Sequence, residues 1–211
     1  MSSLQIGADS KPRFEFRSFG QQFDAARHRM ARLSVPVPEA VWERQSEEVY
    51  ILSRSNDVNN TKIRNGKMDI KTYVRSVDGL EQWNPLIKGE FPMTRQTLIE
   101  EVIPAFQIDM NLTAHEVFSL DEFLSLVHCH PELQAVRVHK QRFGYMVNDT
   151  ICEFGFVLIN GARVATINSE STEIEDIKKT IAAVGLEGVE NINYLQAIKR
   201  VIGMIDRPLA N

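Results

Sequence analysis

Polar and apolar positions alternate with period two over some stretches of this chain and recur near period 3.6 over others. At Arg13–Arg17 the set Arg13, Glu15 and Arg17 faces one way and Phe14 and Phe16 the other, which predicts a short strand. Residues 18–33 switch period. Phe19, Phe23, Ala26, Met30 and Leu33 fall at helical spacing, with Ser18 as the candidate N-cap and Pro36 and Pro38 beyond the end. Glu48–Ser53 reads as a strand. Helices are predicted over Thr94–Phe106, Leu120–His128, Thr172–Val184 (stopped by Gly185) and Asn193–Met204.

Two Asn-Gly pairs sharpen the pattern, because a type I′ hairpin turn needs positive φ at both central residues. A turn at Asn65-Gly66 sets Arg64 opposite Lys67 and Lys62 opposite Asp69, with Lys71 continuing the row and Ile63, Met68 and Ile70 on the other face. A turn at Asn160-Gly161 pairs Ile159 with Ala162, Val157 with Val164, Gly155 with Thr166, Glu153 with Asn168 and Ile151 with Glu170. Phe154, Phe156, Leu158, Ala165 and Ile167 share the opposite face. Between these hairpins, Leu133–Val147 is predicted as a further pair of strands turning near Phe143 and Gly144.

Strands first and last, with helices between and at the end, predict an α+β fold. It is expected to be a single domain over residues 11–211 after a loose tail at 1–10. An antiparallel sheet with one wet face explains alternation in any one hairpin. It does not explain why the polar row Lys62, Arg64, Lys67 and Lys71 is mostly cationic, since like charges repel across a ladder. Nor does it explain why the polar face of the late hairpin is acidic, at Glu153 and Glu170 with Asn168 between them. An antiparallel β-barrel with a polar, tunnel-like interior, covered outside by helices, accounts for both. Basic side chains would take phosphate oxygens and carboxylates would hold Mg²⁺ or Mn²⁺.

Charge supports a localised anion site. The net charge is −4, yet residues 61–75 hold Lys62, Arg64, Lys67, Lys71 and Arg75 against Asp69 alone, and residues 134–142 hold Arg137, Lys140 and Arg142 with no acid. That argues against a nucleic-acid partner, whose phosphate backbone asks for a broad basic surface. No apolar run reaches the roughly 20 residues of a membrane helix, so no membrane partner is expected. With two distant cysteines, Cys129 and Cys152, and no secretory signal, a cytoplasmic setting is expected. The chain carries no glycine-rich phosphate loop and no Gly-x-Ser-x-Gly elbow. His128-Cys129-His130 lacks a second Cys/His cluster to make a zinc site, and a helix end before Pro131 accounts for it. Trp83 and Tyr194 read as packing residues. Arg137 and His139 differ in parity from Lys140 and Arg142, so a bulge would be needed for both sets to face inward.

Phe14-Glu15-Phe16-Arg17, Lys62-Ile63-Arg64, Asp69-Ile70-Lys71, Lys140-Gln141-Arg142 and the closing hairpin ending at Glu170 resemble the CYTH domains of the triphosphate tunnel metalloenzyme superfamily, over about residues 13–200. That family opens on Glu-x-Glu-x-Lys, where this chain has Arg13, Glu15 and Arg17, and closes on two glutamates, where it has Asn168 and Glu170. The resemblance implies a divalent-metal-dependent phosphohydrolase acting on a triphosphate or inorganic polyphosphate. Arg17, Lys62, Arg64, Lys71, Arg137, Lys140 and Arg142 would cradle the phosphates. Glu15, Glu153 and Glu170 would hold Mg²⁺ or Mn²⁺, with Glu15 and Glu170 at the catalytic position. The alternatives are a non-catalytic polyphosphate- or nucleotide-binding module, and a barrel with its apolar face inward for a lipid.

Overall fold

A computed structural model describes residues 5–6, 12–35, 42–113 and 115–209. Among the described residues eight strands form the closed part of the main sheet: β1 Arg13–Gly20, β2 Trp42–Ser53, β3 Asn59–Arg64, β4 Lys67–Val77, β5 Leu80–Glu90, β6 Leu133–Val147, β7 Thr150–Ile159 and β8 Ala162–Ser171, with the two-residue strand Gln5–Ile6 added at β5. Their hydrogen-bonded order is β5-β1-β8-β7-β6-β2-β3-β4, and β4 pairs with β5, so the antiparallel sheet closes into a barrel. Five helical segments accompany it: α1 Asp24–Leu33, α2 over 95–105 with a π-helical middle, α3 Leu120–Cys129, α4 Ile174–Val184 and α5 Tyr194–Val201. The fold is α+β.

Two-residue turns make the hairpins. Asn65-Gly66, Asp78-Gly79, Asn148-Asp149 and Asn160-Gly161 all carry positive φ at both positions, as a type I′ turn demands. The registers read from both Asn-Gly pairs hold, with Arg64 opposite Lys67, Lys62 opposite Asp69, Glu153 opposite Asn168 and Ile151 opposite Glu170. Two expectations fail. Leu133–Val147 is one continuous strand, and the turn lies beyond it at Asn148-Asp149, where Asn and Asp tolerate the left-handed region almost as glycine does. Ser18 caps no helix. β1 runs on to Gly20 because Ser18, Phe19 and Gly20 continue the ladder against β8, and α1 begins only at Asp24.

The chain divides into two compact units. One holds residues 1–10, 47–73 and 84–137, the other residues 11–46, 74–83 and 138–211. In the first, Ile51, Ile63, Met68, Ile70 and Ile87 pack with Leu98, Val102, Phe106, Phe123 and Val127 of the helical layer. In the second, Phe14, Phe16, Phe154, Ala165 and Ile167 pack with Met30 of α1 and Ile177 and Val184 of α4. Each fully buried phenylalanine contributes about 2–3 kcal/mol, so the apolar faces hold the helices on. This overturns the lipid-barrel alternative: the apolar faces lie under helices, and the polar faces are the interior. The expected tail at 1–10 lies outside the described residues except Gln5 and Ile6, whose backbone pairs with Lys88 and Ile87.

In the second unit β1 pairs with β5 only over Arg13–Glu15. Beyond that point the chain's own Asn191 and Ile192 take over. The Arg17 N–H donates to the Asn191 side chain (2.8 Å), the Asn191 amide donates to the Glu15 and Gly79 carbonyls (3.2 and 2.7 Å), and the Ile192 N–H donates to the Arg17 carbonyl (2.7 Å). Buried backbone groups that lack a strand partner are thereby satisfied. α5 follows directly, capped by the Asn193 side chain.

Candidate functional site

In the first unit the hairpin β3–β4 and the end of β5 supply the polar face. Lys62 pairs with Asp69 at 3.3 Å, Arg64 with the buried Glu48 at 3.5 Å, and Lys67 with Glu90 at 2.5 Å. Lys62, Arg64, Lys67, Asp69, Lys88 and Glu90 line a cavity of about 490 Å³. Lys88 was missed by the sequence reading, which assigned no strand to Leu80–Glu90. The signal that could have found it is Asp78-Gly79, a hairpin turn as clear as the two Asn-Gly pairs. Lys71 is half-buried and sits opposite Asn60, whose side-chain oxygen is buried without a hydrogen-bond partner.

In the second unit register alone gathers the predicted groups. Glu15 faces Glu170, Arg17 faces Asn168, and Gly155 stands between Arg142 and Thr166. Arg17 is 7% exposed, Lys140 and Asn168 each 3%. Arg17 Nε donates to Glu15, its Nη1 donates to the Thr166 hydroxyl (3.3 Å), and Nη1 also lies 3.9 Å from Glu153. Arg142 Nη1 lies 3.6 Å from the other oxygen of Glu153, and Nη2 donates to Ser46 at 3.4 Å. Arg13 pairs with Glu170 at 3.3 Å. Gly155 serves by close approach: a Cβ there would stand 3.1 Å from the Gln141 carbonyl oxygen and 3.3 Å from Arg142 Cγ.

Tyr194 belongs to this cluster. Its ring lies under the Arg17 guanidinium (4.8 Å) and the Lys140 ammonium (3.8 Å), and edge-on to Phe19. It is buried, as a packing residue should be, but its neighbours are the basic side chains of the polar face. Cation–π contact stabilises such cations by about 0.5–2 kcal/mol. Burial alone would lower the pKa of Arg17. Glu15, Tyr194 and Glu153 outweigh burial and raise it, so the guanidinium is held charged.

Glu81 is a second omission. It stands opposite Glu15, so Glu81, Glu15 and Glu170 form a row across β5, β1 and β8. Trp83 Nε1 donates to Glu81 (3.0 Å), as does the Asn193 amide (3.2 and 3.0 Å). Burial pushes the Glu81 pKa up, the hydrogen bonds from Asn193 and Trp83 counter it in part, and neighbouring Glu15 adds to the rise.

Arg137 falls outside this set. It is exposed and shares a strand face with His139 and Gln141, opposite to that of Lys140 and Arg142, and β6 runs through without the bulge that would have turned both sets inward.

The Mg²⁺ or Mn²⁺ implied by the resemblance fits this arrangement poorly. Such ions take several oxygen donors at about 2.0–2.6 Å, usually with carboxylates among them. Glu15, Glu153 and Glu170 are each engaged by an arginine instead. Among the described residues no three His, Cys, Asp or Glu side chains are grouped as metal ligands.

The antiparallel barrel covered by helices is the fold that the sequence resemblance implied. No protein-family model and no curated protein matches the chain, so the comparison rests on solved structures. One is a candidate adenylyl cyclase from Hippeastrum, described as having a dominant triphosphatase activity, with 13% identity, coverage of 94% of this chain and 99% of that one, and a TM-score of 0.51. Others are a candidate adenylate cyclase from Bacillus halodurans (11% identity, 92% and 97% coverage, TM-score 0.49) and a protein from Pyrococcus horikoshii (15% identity, 89% and 98% coverage, TM-score 0.47). At these identities the likeness is one of fold.

Proposed function

We propose that this chain binds a triphosphate or a short inorganic polyphosphate on the basic polar faces of its barrel. The observation that carries this reading is the cavity of about 490 Å³ lined by Lys62, Arg64, Lys67 and Lys88, within the range of small-ligand pockets. These four cations face two carboxylates of the same lining, Asp69 and Glu90, so the lining is net positive and an anion relieves the remaining repulsion. Arg17, Lys140 and Arg142 in the second unit offer the same chemistry. Cys129 and Cys152 are both free thiols, which suits a reducing, cytoplasmic setting. No helix among the described residues is long and apolar enough to cross a membrane.

Metal-dependent hydrolysis of the same ligand is the second reading. It is favoured by the fold shared with the Hippeastrum protein. One experiment separates the two. The protein is mixed with tripolyphosphate and, separately, a nucleoside triphosphate, with Mg²⁺ or Mn²⁺ present. Melting temperature and released phosphate are both recorded. The binding reading expects a rise in melting temperature with phosphate at background. Turnover would establish the hydrolase, and the absence of any thermal shift or turnover would remove both.

A further inference from the structure

Glu153 lies between two guanidinium groups, with one oxygen toward Arg17 Nη1 at 3.9 Å and the other toward Arg142 Nη1 at 3.6 Å. Its side chain is 15% exposed, that of Arg142 16% and that of Arg17 9%. The two other carboxylates expected to bind metal are matched in the same way, Glu15 by Arg17 and Glu170 by Arg13. On this face Arg13, Arg17, Lys140 and Arg142 stand with Glu15, Glu153, Glu170 and Glu81, four cations to four carboxyl groups, and an arginine holds each of the first three carboxylates. A divalent cation entering here would have to break those arginine pairs to gain Glu15, Glu153 or Glu170 as ligands. A phosphate would instead compete with the carboxylates for the guanidinium groups.

One donor also stands ready. Arg142 Nε is buried and has no hydrogen-bond partner, while the same guanidinium reaches Glu153 and Ser46 through its other nitrogens. A buried N–H left unpaired is unfavourable, because it has given up water without gaining an acceptor. An oxyanion beside Arg142 would satisfy it, and guanidinium groups bind phosphate in forked pairs of hydrogen bonds.

We propose that Glu153 is an internal counter-ion that a phosphate competes with for Arg17 and Arg142, and that this site takes polyphosphate as the metal-free anion. The inference rests on the binding reading above and deepens it by naming the form of the ligand. On this account the carboxylate holds the two guanidiniums in place until phosphate oxygens share them.

The test is isothermal titration calorimetry of the full chain with sodium tripolyphosphate, once with EDTA and once with excess MgCl₂, for wild type, Glu153→Gln and Arg142→Gln. Wild type is expected to bind in EDTA and to bind several-fold more weakly in excess Mg²⁺, because the magnesium complex carries less negative charge. Glu153→Gln is expected to tighten binding in EDTA by roughly tenfold, since it removes the competing charge, and Arg142→Gln to weaken it by at least as much. A metal ligand would behave in the reverse sense. Binding by wild type only with Mg²⁺, or loss of binding in Glu153→Gln, overturns the proposal while leaving the binding function intact. No binding by wild type in either buffer removes that function and the proposal together. The EDTA–Mg²⁺ comparison needs no variant, so a substitution that fails to fold leaves the proposal testable.

Discussion

Arg17 and Glu81 are both withdrawn from water, and their neighbours drive them in different directions. Arg17 stays charged because Glu15 and Glu153 flank it and the Tyr194 ring covers it. Glu81 has two hydrogen-bond donors and, among the described residues, no paired cation, so burial prevails and its pKa is raised. The folded protein therefore holds the Glu81 proton more tightly than the unfolded chain does. Its contribution to stability is complete below the ordinary carboxylate range and is lost as pH rises through the raised folded value. The melting temperature of Glu81→Gln minus that of wild type should accordingly increase between about pH 4 and pH 7. Differential scanning fluorimetry across that range checks it, and a flat difference would show that Glu81 carries no such linkage.

Glu190 has the opposite sign. Arg200 lies along it with two hydrogen bonds of 2.9 Å each, Arg207 adds a third, and together they lower its pKa. This stability is present above the ordinary carboxylate value and is lost as pH falls through the lowered one. Glu190→Gln should cost about 1–3 kcal/mol at neutral pH, because the Arg200 side chain is only 6% exposed, and the deficit should shrink in acid. Urea denaturation at two pH values measures it.

Among the elements, those announced by chemistry with a single conformational outcome were legible in the sequence. Asn65-Gly66 and Asn160-Gly161 fixed two hairpins residue for residue, and once register was fixed, face followed. Gly185 closes α4 in the left-handed region, φ 74°, as its position predicted. A Cβ there would fall 2.0 Å from Arg29 Nη1, the group that donates to the Val184 carbonyl at the end of the same helix. Gly185→Ala should therefore destabilise the protein by about 1–2 kcal/mol, from backbone strain and displacement of Arg29, visible as a lower urea midpoint.

β5 was not legible. Leu80–Glu90 has Pro85 and Gly89 inside it and no sustained alternation, so local pattern is silent and pairing with β4 and β1 decides. The cost of that silence was Glu81 and Lys88. The length of α1 was also misjudged, because Phe19 satisfies helical spacing and strand parity equally well, and the ladder against β8 settles the matter. Tyr194 was read correctly as buried. Which neighbours it would meet is a tertiary fact that no local spacing encodes.

At the scale of the whole molecule, charge is sorted by strand face rather than spread over the surface. In each unit the helices cover the apolar side and the cations line the other. The stabilisation of the protein by tripolyphosphate should thus depend steeply on ionic strength. The thermal shift in low salt should fall by more than half in about 0.5 M NaCl, where the Debye length is only a few ångströms. Sodium sulfate at equal ionic strength separates specific competition at the phosphate site from general screening.

The insertion of Asn191 and Ile192 alongside β1 has a bearing on how the chain can be shortened. One carboxamide and one backbone amide do there what a neighbouring strand would do, and α5 is carried in behind them. A version ending before Asn191 would lose more than a helix. It would bare a length of β1 with unsatisfied amide and carbonyl groups, the kind of raw margin onto which a second molecule adds. Size-exclusion chromatography should find such a version self-associated at concentrations where the full chain elutes as one species.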